Sequence, residues 1–147
     1  MPNAPIHEMS QLESRQLQTR MFIANKRDIL DKAVVSALQD EGFIILAYDK
    51  NIGLITANKE QNQVDEATKS FRINNLQGGW QTIRKVNASC TVALNKKDEY
   101  KVRITLVEQG ISDSGGVLWS QTVSDVQVYK TLFSKIDKSI FLQKENL

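Results

Sequence analysis

The sequence predicts a two-layer α+β domain: a mainly antiparallel sheet with two helices on one face, in the order β-α-β-β-β-β-β-α. Three observations predict it. Segments that alternate apolar and polar residues recur along the chain, as in half-buried strands. Two segments instead carry an apolar stripe at helical spacing. Every link between consecutive strands except one is short, and short links join antiparallel neighbours. Two striped helices can cover one face of such a sheet.

Length and composition set the frame. The 147 residues suffice for one domain and are too few for two independent cores. The apolar share of 41% and charged share of 24% are those of an ordinary globular protein. Nineteen basic and 17 acidic residues leave a net charge of +2, against the basic excess usual in a dedicated nucleic-acid binder. No apolar run approaches a membrane span. One cysteine and one histidine rule out a disulfide framework and any zinc site built from several such ligands.

The elements follow in order. Residues 1–15 hold both prolines and read as a flexible lead, leaving 16–147 as the single domain. No charged stretch followed by an apolar run marks a signal peptide. The residues alone therefore leave a cytoplasmic protein and a trimmed, exported one both open. Gln16 to Ile23 alternates, with Leu17, Met21 and Ile23 on one side. From Asp28 to Asp40 the stripe is Leu30, Ala33, Val34, Ala37 and Leu38, and Gly42 stops the helix. Phe43 to Tyr48 and Leu54 to Asn58 form a hairpin about Asp49–Gly53. Residues 59–82 are polar and aperiodic, with one helical turn expected near Asp65–Lys69, and read as a long mobile connection. Val86 to Leu94 and Tyr100 to Leu106 alternate about a polar turn. Val117 to Val123 is a further strand, with Trp119 expected in the core. A closing helix from about Asp125 to Leu142 has the stripe Val128, Leu132, Ile136 and Ile140, flanked by Tyr129, Phe133 and Phe141.

Chemistry is sparse. His7-Glu8 opens like the zinc motif H-E-x-x-H, but Gln11 stands where the second histidine is needed. Cys90 lies on the apolar side of its strand, away from any base that would activate it, and reads as a core residue. Gly78-Gly79 and Gly115-Gly116 lack the spacing of a phosphate loop and read as turn glycines. Asn87-Ala88-Ser89 matches a glycosylation sequon but falls mid-strand. No carboxylate pair is placed by spacing for acid–base work, so no catalytic, metal or cofactor site is expected. The open sheet face is more informative. It would present Lys85, Asn87, Ser89, Thr91, Lys101, Arg103 and Thr105, polar and leaning basic, without the exposed aromatics on which RNA bases stack. Lys85, Lys101 and Arg103 on this face, with Trp80 in the glycine-flanked loop, are the candidate partner-binding residues.

Three segments together resemble a known group. They are Ala33-Val34-Val35-Ser36-Ala37-Leu38-Gln39-Asp40-Glu41-Gly42-Phe43-Ile44-Ile45, Asp49-Lys50-Asn51-Ile52-Gly53-Leu54-Ile55-Thr56-Ala57, and Tyr129-Lys130-Thr131-Leu132-Phe133 with Ile140-Phe141-Leu142. They resemble small bacterial envelope lipoproteins of uncharacterised function. The first two are also similar to repeats in the C component of the outer-membrane β-barrel assembly machinery. The resemblance implies a helix-grip fold, a long C-terminal helix held by a curved antiparallel sheet. It implies a periplasmic domain anchored at the outer membrane, with residues 1–15 as the tether. Those lipoproteins begin with a signal and a lipidated cysteine, and this chain has neither. The matching residues are structural, so the implied role is non-catalytic: binding a protein partner within a secretion or outer-membrane biogenesis complex. The alternative is a carrier of an apolar small molecule, in a cavity lined by Leu132, Ile136, Ile140, Val102 and Ile104.

Overall fold

The computed structural model describes residues 10–62 and 81–145. Among them the order is α1 (Gln11–Gln18), β1 (Thr19–Ile23), α2 (Arg27–Asp40), β2 (Ile44–Asp49), β3 (Leu54–Asn62), β4 (Gln81–Lys96), β5 (Glu99–Ser112), β6 (Val117–Thr122) and α3 (Val126–Lys144). The fold is a two-layer α+β domain. Its six-stranded antiparallel sheet runs β1-β5-β4-β3-β2, and β6 pairs with the upper half of the β5 edge whose lower half takes β1.

The first difference from the sequence reading is α1. Ser10 accepts a hydrogen bond from the Glu13 backbone N–H at 3.1 Å and donates to the Glu13 carboxylate at 3.2 Å. Ser10 thus caps the helix, with Ser and Glu three residues apart in the spacing of a capping box. The domain boundary expected at residue 16 thus falls inside a helix, and only Thr19 to Ile23 is strand. The side that faces the core also reverses. Phe22 is buried against Phe133 of α3, while Met21 and Ile23 are exposed.

Helix α2 buries the expected stripe of Leu30, Ala33, Val34, Ala37 and Leu38. It ends in a Schellman motif: the Gly42 N–H reaches the Gln39 carbonyl, and the Phe43 N–H the Leu38 carbonyl, both at 3.0 Å. Gly42 takes the required left-handed conformation at φ 90°. Strands β3 and β4 extend further than predicted, into both ends of the 59–82 connection. Lys59, Glu60, Gln61 and Asn62 pair with Val86, Lys85, Arg84 and Ile83. These residues are polar because they lie at the exposed end of the sheet. Glu60 opposite Lys85 is a favourable cross-strand pair. The interior of that connection, with Asp65–Lys69, Gly78-Gly79 and Trp80, lies outside the described residues, as do His7 and Glu8.

Helix α3 starts at Asp125, whose carboxylate accepts from the Gln127 N–H at 2.9 Å. Its buried stripe is Tyr129, Leu132, Phe133, Ile136 and Ile140. The stripe is therefore turned from the expected one: Val128 and Phe141 face outward. Tyr129 is wholly buried and donates from its hydroxyl to the Val123 carbonyl at 2.7 Å. The same hydroxyl accepts from the Leu106 N–H at 3.4 Å. A stripe beginning on Tyr129 thus ties the helix start to β5 and to the β6–α3 link. Trp119 corrects another expectation. All of β6 is exposed, and Trp119 lies across Gly110 with its indole N–H on the Gln81 side-chain oxygen at 2.9 Å. Alternation alone does not bury a strand that no helix covers.

Cys90 sits inside at 0% exposure, and burial pushes its thiol up to about 12. It should be inert in the native protein. Labelling with a thiol reagent is expected to be negligible until denaturant is added. Native labelling at the denatured rate would mean that β4 faces the other way.

Candidate functional site

The sheet face turned away from the helices is the candidate site. Val86, Ala88, Cys90 and Val92 of β4 and Val102, Ile104 and Leu106 of β5 are buried under the helices. Period two therefore turns Lys85, Asn87, Ser89, Thr91, Lys101, Arg103 and Thr105 to the open face. Strand register then sets neighbours. One row across the sheet reads Thr19, Arg103, Thr91, Leu54. The next reads Met21, Lys101, Ala93.

The structure brings Lys101 and Arg103 together and sets Lys85 apart. Six residues along β5 separate the Arg103 row from the Lys85 row, roughly 20 Å at strand rise. Lys85 also has Glu60 directly across from it, whereas neither Lys101 nor Arg103 forms an ion pair among the described residues. Glu99, the nearest acid along β5, is taken by the Asn95 amide at 2.6 Å and by Lys96 at 3.8 Å. Arg103 is half-buried, with its Nε enclosed and without a hydrogen-bond partner among the described residues. Beside this pair β1 presents Met21 and Ile23 at 44% and 68% exposure. The result is a patch of two cations, unpaired among the described residues, flanked by apolar side chains. It can take a carboxylate-bearing surface that also offers apolar contact. Sequence reasoning found the cations and missed their apolar flank, because it faced β1 the wrong way. Trp80, the fourth candidate, lies outside the described residues.

The helical layer carries a second feature. A groove of about 1030 Å³ runs between α2 and α3 toward the β2–β3 turn, with Val35 and Leu142 among its apolar lining and Lys32 and Lys138 among its cations. At its β2 end Asp31, buried to 3% exposure, accepts from the Tyr48 hydroxyl and lies 3.4 Å from Arg27. Desolvation, reinforced by the bond to Asp31, pushes the Tyr48 phenol up to about 12. Lys50 pairs with Asp28 at 2.7 Å and holds that carboxyl below its usual range. These contacts pin β2 to α2. The cavity expected of an apolar carrier is instead filled core: Leu132, Ile136, Ile140, Val102 and Ile104 are all at 6% exposure or less within one cluster. Among the described residues no group of three or more His, Cys, Asp or Glu gathers as a metal site, and no helix is long and apolar enough to cross a membrane.

No family model matches the chain, and no curated protein matches it. Among solved structures it is similar to the adenylate sensor from AMP-activated protein kinase, in complex with 5-aminoimidazole-4-carboxamide 1-beta-D-ribofuranotide. The identity is 9% and the TM-score 0.44, over 80% of this chain and 94% of that one. A likeness at that level bears on neither fold nor function.

Proposed function

We propose that this protein is a non-catalytic protein-binding module. In this reading it is a periplasmic domain held at the outer membrane by an N-terminal lipid anchor, working in a secretion or outer-membrane biogenesis complex. The observation that carries the binding role is the Lys101–Arg103 pair, two cations without ion-pair partners among the described residues, beside exposed Met21 and Ile23. Arginine and apolar anchors at the centre of a patch are what interface hot spots are made of. A half-buried guanidinium loses less side-chain freedom on binding than a fully mobile one. The partner would present acidic residues around an apolar contact. The envelope placement rests on the lipoprotein resemblance.

The double charge reversal Lys101→Glu with Arg103→Glu tests it. On a native gel of envelope extracts the parent should run within a larger complex and the variant as free protein. Loss of about 2 kcal/mol, a hot-spot cost, lowers affinity roughly thirtyfold. The melting temperature should be nearly unchanged, since both side chains lie off the core. Unaltered migration of the variant would remove this face as the binding site.

A further inference from the structure

We propose that β2 is a self-pairing edge, and that two copies of this chain join β2 to β2 antiparallel about a two-fold axis. The two sheets would then become one continuous sheet.

The outer side of β2 has no strand beside it among the described residues. Natural edge strands are usually blunted by lysines, prolines or inward-pointing charges. Phe43-Ile44-Ile45-Leu46-Ala47-Tyr48 contains none of these. Ile44 and Leu46 are 67% and 59% exposed, and Tyr48 is 46% exposed. A bulge between Ile45 and Ala47 interrupts the pairing with β3. Bulges can twist an edge away from partners, but a two-fold mate carries the same bulge and matches the bend.

The edge is also held in place. At its far end the Tyr48 hydroxyl is bound to buried Asp31, and Lys50 to Asp28. At its near end the Lys59 ammonium donates to the Glu41 carbonyl at 3.1 Å and lies 4.8 Å from the centre of the Phe43 ring. A strand pinned at both ends keeps its unpaired N–H and C=O groups in line, ready for another strand.

Charge and closure select a second copy. The run from Phe43 to Tyr48 is neutral, so it meets no like charge when laid antiparallel on itself. Charges stand only beyond its ends: Asp40 and Glu41 before it, Asp49 and Lys50 after it. Asp49 is occupied in its own turn, accepting from the Asn51 and Ile52 N–H groups at 3.0 and 3.4 Å. A two-fold rotation therefore brings the Lys50 end of one copy to the Asp40–Glu41 end of the other; Lys50 is already paired with Asp28, and Glu41 with Lys135 at 2.8 Å, so the ends meet without like charges opposed. Such a contact closes on itself. Pairing β2 with the exposed β6 edge would instead run head to tail, giving a ring or an open filament and not a dimer.

Sedimentation analysis from low micromolar to near-millimolar concentration tests the proposal. The parent should convert from monomer to dimer and stop there. Leu46→Lys should stay monomeric with an unchanged melting curve, because Leu46 is exposed in the monomer. A cysteine scan fixes the geometry, with buried Cys90 silent. Leu46→Cys, beside the axis at the centre of the Phe43–Tyr48 run, should form an interchain disulfide. Ile44→Cys should not, because its two copies would lie roughly 10 Å apart along the strand and a disulfide needs Cα atoms within about 7 Å. A parent that is monomeric throughout overturns the proposal. So does an open-ended polymer, or a dimer that survives Leu46→Lys.

Discussion

Removing the chain from Tyr129 onward is expected to leave a protein with no cooperative melting transition. The deletion takes Tyr129, Leu132, Phe133, Ile136 and Ile140 out of the core, every one at 6% exposure or less. It uncovers the helix-facing sides of β4 and β5, which bury Val86, Ala88, Cys90, Val102, Ile104 and Leu106. Each large apolar side chain contributes on the order of 1.5–3 kcal/mol by burial. Four of them rival the whole stability of a typical domain, about 5–15 kcal/mol. Removing Tyr129 also strips the Val123 carbonyl and the Leu106 N–H of their shared hydroxyl partner. Calorimetry of the truncated chain checks this. A sharp transition near the parent temperature would show that the sheet does not depend on α3.

Gly53→Ala is expected to cost about 2–4 kcal/mol, through strain and a clash that cannot relax. Gly53 has φ 69°, in the left-handed region. An added Cβ would stand 2.2 Å from the Val92 carbonyl oxygen and 2.9 Å from the Arg27 guanidinium. The arginine can shift, but the carbonyl cannot. The Gly53 carbonyl accepts from the Val92 N–H at 2.8 Å, which holds the two backbones together. Gly115→Ala is the control. Its φ is 93°, but nothing lies within 4 Å of its added Cβ. It should lose only the left-handed strain, about 1 kcal/mol. Equal melting-temperature losses in the two variants would show that the contact with β4 does not matter.

Much of this fold is legible in the sequence where periodicity and tertiary cover agree. The α2 stripe, the stop at Gly42 and the inward faces of β4 and β5 follow from spacing alone. The differences fall where a local pattern competes with something non-local. Residues 16–23 alternate, yet Ser10 and Glu13 cap a helix that consumes the first of them, and the register of β1 on β5 puts Phe22 inside. A capping box in the lead was the available signal. Trp119 alternates correctly, but which parts of a sheet the helices reach is not written in the strand. Asp31 lies outside the apolar stripe of α2, yet it is buried because Arg27, one turn before it, and Tyr48, on β2, both meet it. Of the candidate site, the cations Lys101 and Arg103 are readable from alternation. Their separation from Lys85 and their apolar flank depend on register and on β1, which no local pattern reports.

We propose that the open sheet face docks a protein partner through Lys101 and Arg103. Photo-crosslinking in living cells tests it. A photoreactive residue in place of Met21, on the patch rim, should yield one discrete adduct. The adduct should vanish when Arg103→Glu is added. The same residue in place of Lys130 or Ser134, exposed positions on α3, should yield none. An adduct at Met21 that persists with Arg103→Glu, or adducts formed only from the α3 positions, would mean that the partner docks elsewhere.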